Sequence, residues 1–265
     1  MEILLVVITF IATVIGAISG IGGGVLIKPV MDALVDYPVA TISFLSGNTV
    51  LAMTAVSLLR SRRDSIKVDG VVGTPLAIGG AVGGILGKLV FSAIKEAYQN
   101  DALLGLVQNI LMVLLTVTVF LYILNKARIK TLAVRNKALA LAAGLVLGLF
   151  SSFLGIGGGP INIMFLSYLF SMDSKHAALN SLYIIFCSQV ANLIANIVQN
   201  CVPAFDVLLL LSMMASGIVG AMTGRSVSKR LDNAQVDKLF MALMVVIIVL
   251  SLGNVVKFAG AYQGF

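Results

Sequence analysis

The pentapeptide Gly-Ile-Gly-Gly-Gly stands twice in the chain, at residues 20–24 and 155–159. Glycine has no side chain to shield its peptide N–H. Gly20, Gly22, Gly23 and Gly24, and again Gly155, Gly157, Gly158 and Gly159, therefore form two stretches of bare main chain. N–H groups at the start of a helix, backed by the positive end of its dipole, form a receptor for an anion. A helix is expected directly after each run, at Val25 and at Pro160. Proline suits a first helical position because the N–H it lacks would be unpaired there. The alternative is a tight hairpin that needs positive φ and close packing and takes no ligand. Ser19 precedes the first run and Asn162 follows the second by three residues, each within reach of a bound group. Lys28 lies one turn beyond the first run, where the second half has the apolar Ile163. A lysine there either draws an anion inward or snorkels to a surface.

Further polar side chains sit in the apolar stretches that follow. The first such stretch has Ser43, Ser46, Asn48 and Thr49; the second has Asn180, Ser181, Ser188, Gln189, Asn192 and Asn196. Asn180, Ser188, Asn192 and Asn196 fall on one helix face, which reads either as cavity lining or as glue between helices. Asn48, Asn180, Ser181, Gln189 and Asn192 are the members assigned to substrate binding. Lys88 and Arg225 hold equivalent places in the two halves and read as snorkelling helix ends or as anion gates. No acid is placed mid-span by the pattern: Asp32, Asp36 and Asp173 fall near hairpin ends. No proton carrier is named. A single histidine, His176, rules out a His-Glu-x-x-His zinc motif. No catalytic residue, metal or cofactor is expected, and the chain does not read as an enzyme.

The elements that must position these groups are membrane helices. Of the 265 residues 59% are hydrophobic and only 11% charged, which leaves no stretch for a soluble domain. The fold expected is an all-α integral membrane protein, with the bilayer as its surroundings. Net charge is +7, but the basic residues lie in short loops, so nucleic acid is not an expected partner. Cys187 and Cys201 would stand about 20 Å apart on a helix, which gives no support to a disulfide.

The apolar stretches repeat in order. The glycine runs are offset by 135 residues, whereas Gly80, Gly83 and Gly87 match Gly217, Gly220 and Gly224 at 137. These later stripes read as surfaces for close helix approach. The expectation is two inverted-topology repeats, each a Gly-rich helical hairpin plus three transmembrane helices. Residues 1–126 form the first repeat (hairpin 3–37, spans 41–59, 71–91 and 103–124). Residues 127–137 form a basic linker. Residues 138–265 form the second repeat (hairpin 138–172, spans 178–199, 207–225 and 239–258). Basic loops around Arg60, Arg62, Arg63 and Lys67, around Arg128 to Lys137, and around Arg225 to Lys238 are assigned to the cytoplasm. The loop 200–205 has no basic residue and is assigned outside. Both chain ends then lie outside. Paired glycine interruptions of this kind mark the binding site in inverted-repeat carriers.

The residues Gly16-x-x-Ser19-Gly20-Ile21-Gly22-Gly23-Gly24 and Gly148-x-x-Ser151-Ser152-x-x-Gly155-Ile156-Gly157-Gly158-Gly159-Pro160 resemble the sulfite exporter TauE/SafE family of bacterial membrane transporters. The resemblance extends over the chain's length, repeat and basic linker. It implies a multi-pass protein of the bacterial cell membrane and secondary transport of small anions, often sulfur-containing: sulfite, sulfonates, sulfoacetate. An anion-selective channel, or a carrier of another small organic acid, is the competing reading. Substrate, direction of flux and oligomeric state are not read from these residues.

Overall fold

The computed structural model describes residues 2–62, 64, 66–126, 128–156 and 158–263. Gly157 of the second run and Arg63 of the first basic loop lie outside the described residues. Within them the chain forms ten helices and no strand: α1 Glu2–Ser19, α2 Gly24–Leu34, α3 Val39–Ser61, α4 Gly73–Tyr98, α5 Asp101–Asn125, α6 Lys137–Leu154, α7 Gly159–Phe170, α8 Ser174–Val198, α9 Val207–Ser228 and α10 Asn233–Gln263. Eight are long and apolar enough to cross a membrane. The other two, α2 and α7, have 11 and 12 residues, or roughly 16–18 Å at 1.5 Å per residue, too short to cross about 30 Å of hydrocarbon.

Helix starts follow local chemistry. The side chain of Asn100 accepts from the Leu103 N–H, that of Asn136 from Ala138, and those of Asp173 and Asp206 from Lys175 and Leu209. Asp232 and Gln235 exchange reciprocal bonds at the head of α10. Two helices outrun the apolar stretches that announce them. α4 continues past Phe91 to Tyr98, and α10 spans 233–263 rather than 239–258. The extra turns of α4 (Ser92, Lys95, Glu96) are polar but good helix formers, so hydropathy falls while the helix persists until Gln99, at φ 46°, turns the chain.

The packing maps onto itself when the halves are exchanged. α4 packs along α6 as α9 packs along α1; α4 meets α8 as α9 meets α3; α5 meets α7 as α10 meets α2. The most extensive contacts join one half to the other, so the halves are interleaved. Direction follows from the register. α4 and α6 run parallel, with Gly79, Gly83 and Gly87 seated on the main chain at Leu141, Leu145 and Leu149. α1 and α9 are also parallel: the Ser216 hydroxyl donates to the Val6 carbonyl, and Gly220 and Gly224 sit against Phe10 and Val14. The counterparts α5 and α10 are antiparallel, Gly105 facing Phe258 while the Asn254 amide donates to Asn109 Oδ1. The glycine stripes therefore serve close packing: a Cβ at Gly83 would run into the Leu145 carbonyl oxygen.

Candidate functional site

Both glycine runs break their helices. Gly20 and Gly22 have φ +77°, and Gly155 and Gly158 have +67° and +90°, a region that L side chains rarely adopt. The two breaks abut. A Cβ on Gly24 would stand 2.7 Å from the Ile156 carbonyl oxygen, and one on Gly159 would stand 2.7 Å from Ile21 Cγ2. Residues 19–28 are all buried, as are the described residues of the second run. Two segments 135 residues apart thus cross in the interior.

The main chain there is only partly bare. The N–H groups of Gly20 and Gly22 return to the Gly16 carbonyl, and those of Gly155 and Ile156 to Ser152 and Ser151. The Gly23 N–H points to the Met53 sulfur at 3.2 Å. Local helix-end bonds use up the amides nearest α1 and α6. The start of α2, at Gly24 and Val25, remains beside Ser46, whose hydroxyl lies 3.1 Å from a Cβ built on Gly24.

Beside the crossing, α3, α6 and α7 bring polar atoms without partners among the described residues, the hydroxyls of Ser43, Ser46, Ser151 and Ser152 and Asn162 Oδ1, and on α8 the Ser181 and Ser188 hydroxyls and Gln189 Nε2 are likewise unpaired. Unpaired buried polar atoms each cost free energy, so their concentration beside two helix breaks marks a place for a polar ligand or water. Of the residues assigned to substrate from the sequence, Ser19, Asn162, Ser181 and Gln189 are buried, as are the described glycines, but the Ser19 hydroxyl donates to the Ile15 carbonyl of its own helix. Gln189 Oε1 faces Gly47, and Asn162 faces Gly158. Asn180 is engaged otherwise: its Oδ1 accepts the Asp69 N–H and its amide donates to the His176 carbonyl. Asn48, half-buried, donates to the Phe44 carbonyl of its own helix. Asn192 lies a chamber away, described below.

Lys28 faces away from the breaks. Its Nζ stands 2.8 Å from Asp32 Oδ2, with both side chains at least 98% buried, and Asn109 donates to the same carboxylate oxygen. Asn254 closes the cluster through the Pro29 carbonyl. Asp32 stands in the last turn of α2, near the hairpin end as expected, and is buried between α2, α5 and α10. The i,i+4 spacing of Lys28 and Asp32 was the available signal.

A vestibule lies on each side of the crossing. One, of about 370 Å³, is lined by Asp64, Ile66, Lys175, Ala178, Arg225, Ser228 and Lys229. Its Ala178 touches Gly20. The other, about 20 Å³, is lined by Ala40, Ser43, Phe44, Lys88, Phe91, Ser152, Gly155, Asn192 and Asn196. The linings correspond under exchange of halves: Lys175 with Ala40, Ala178 with Ser43, Arg225 with Lys88, Ser228 with Phe91. In the wide vestibule Arg225 gives two hydrogen bonds to Asp64 Oδ2, at 2.9 and 2.7 Å, and Lys229 lies 2.6 Å from Oδ1. Burial opposes the charge on Asp64, but the hydrogen bonds from Lys229 and Arg225 outweigh it and hold the carboxyl below its ordinary value. The narrow vestibule adjoins a surface groove of about 600 Å³ at Tyr37, Lys95 and Phe205, with Ala40 lining both. Phe44 stacks on Phe205 with centroids 5.0 Å apart, and Thr41 donates to the Ala204 carbonyl.

Eight helices long and apolar enough to cross a membrane, set around two buried helix breaks, define a multi-pass membrane protein. Residues 5–251 match the family described as Sulfite exporter TauE/SafE, and the chain belongs to that family. A probable membrane transporter protein of Haemophilus influenzae is 27% identical over 185 residues, covering 68% of this chain and 66% of that protein, just under two thirds. The probable membrane transporter protein YunE of Bacillus subtilis is 22% identical over 267 residues, covering 92% of this chain and 95% of the relative. No solved structure matches the chain.

Proposed function

We propose that this membrane transporter is a secondary carrier of small anions, of the sulfite, sulfonate and sulfoacetate class, with its site at the crossing of the two breaks. The observation that carries the reading is the pairing of one wide and one narrow vestibule, each bottoming on a glycine break. Alternating access requires such a pair, exchanged by movement of one half against the other. Antiparallel packing of the counterpart helices α5 and α10 supports an inverted repeat, and an inverted repeat supplies two end states of like energy. The fixed main-chain dipoles at the start of α2 and the serine hydroxyls beside the crossing favour an oxyanion over a cation or a sugar.

The protein is placed in the bacterial cell membrane with both termini outside and the wide vestibule facing the cytoplasm. A reporter fused after Phe265 tests the orientation; a cytoplasmic signal overturns it. Function is tested in proteoliposomes loaded with sulfite, thiosulfate, methanesulfonate, sulfoacetate or acetate. A carrier gives saturable uptake and counterflow, whereas a channel gives neither. Stabilisation by a cation or sugar with no response to any anion ends the anion reading.

A further inference from the structure

We infer that the narrow chamber at Lys88 is an anion subsite, whose counterpart at Arg225 is already filled by a carboxylate of the chain itself. The inference rests on the anion-carrier reading and gives it a named cation. Lys88 is half-buried and has no carboxylate within 4.0 Å among the described residues; its ammonium lies 5.0 Å above the Phe91 ring. A lysine inside a membrane protein without a counter-ion is held at a cost, and a negative ligand removes that cost.

Three further observations point to the ligand. The chamber wall carries the Ser43 and Ser152 hydroxyls, both without partners among the described residues, and Ser152 is 95% buried. Hydroxyl donors beside a cation are the recognition set for an oxyanion. In the mirror chamber a carboxylate does sit on the cation, in the Asp64–Arg225 bonds. The offset of 137 that pairs Lys88 with Arg225 pairs Asp64 with Cys201, so the position that matches Asp64 holds no acid. One chamber thus pairs its cation with a carboxylate of the chain, and the other sets its cation beside hydroxyl donors.

At about 20 Å³ the narrow chamber holds about one water molecule, so a sulfite or sulfonate head enters only when its walls part, the tilted Phe44–Phe205 contact beside it among them. The ligand class is a small oxyanion with one or two charges and a head no larger than a sulfonate.

The test measures binding of sulfite and methanesulfonate by calorimetry in lipid nanodiscs, with uptake in proteoliposomes alongside. Lys88→Gln is expected to weaken binding at least tenfold, and Lys88→Arg to stay within threefold of the parent. The double variant Ser43→Ala/Ser152→Ala is expected to bind at least threefold more weakly; it decides the matter if Lys88→Gln does not fold. Unchanged affinity in a folded Lys88→Gln, with the parent protein binding and transporting, overturns the subsite and leaves the carrier reading standing. No binding or uptake of either anion by the parent protein overturns both.

Discussion

The buried pair of Lys28 and Asp32 is the sharpest test of how this interior is held together. Its charges stand 2.8 Å apart, with side chains 2% and 1% exposed. At an effective dielectric constant of about 20 that separation corresponds to roughly 6 kcal/mol of attraction. Desolvation of both ions offsets much of it, so the pair adds little net stability. Removing one partner is different, because it strands the other charge between α2, α5 and α10. Lys28→Met and Asp32→Leu are each expected to cost about 3–5 kcal/mol. The values should fall toward the lower end, since a chain unfolded within the membrane also finds partners for its polar groups. The double variant Lys28→Met/Asp32→Leu leaves no stranded charge and should cost less than either single change. Reversible unfolding in mixed detergent, followed by circular dichroism, supplies the double-mutant cycle. Single variants within about 1 kcal/mol of the parent, or a double variant as costly as the two singles summed, would refute the argument. Uptake by the double variant adds a functional arm. Retained transport assigns the pair to structure, whereas lost transport in a stable protein returns Lys28 to the role of drawing an anion inward.

Other consequences follow from glycine packing and from the two vestibules. Gly83→Ala should destabilise by about 1–3 kcal/mol, because its Cβ meets the main chain of Leu145 rather than a movable side chain. Gly253→Ala, with open space around it in α10, should instead stabilise by about 0.5–1 kcal/mol, and the same unfolding assay reads both. Asp64→Asn should free Arg225 and Lys229 and alter the rate of uptake; an unchanged rate would show that the ion pair has no part in gating. Because the Asp64 carboxyl is held below its ordinary value, the pair persists at neutral pH and is lost only as pH falls through that lowered value, on the acid side of the usual carboxylate range. Any dependence of transport on pH between 5 and 8 should therefore survive in Asp64→Asn. Phe205→Ala should open the Lys88 chamber to the surface groove, raising the rate at which a thiol reagent modifies a cysteine introduced at Ser152 in a background lacking Cys187 and Cys201; an unaltered rate would refute the closure.

Residue order alone determined much of this protein. Apolar runs announced the spans, because lipid requires every exposed side chain along a helix to be apolar and every backbone group to be bonded internally. Doubled glycine runs announced the breaks, since L side chains rarely adopt the +67° to +90° φ values found at Gly20, Gly22, Gly155 and Gly158. Asn and Asp at the heads of α5, α6, α8 and α9 marked helix starts through purely local hydrogen bonds. The repeat indicated which elements correspond. What the sequence left open were the partners across the molecule. Whether Asn180 faces a ligand or caps the approach to α4, and whether Lys28 is free or paired, depends on groups brought from other helices. Only the tertiary structure set Ile21 against Gly159 and Asp64 against Arg225, left Lys88 without an acid, and made one vestibule wide and its twin narrow. The physical reason is that periodicity reports which face of a helix avoids water or lipid, whereas charge pairing and cavity shape arise from distances between segments far apart in the chain.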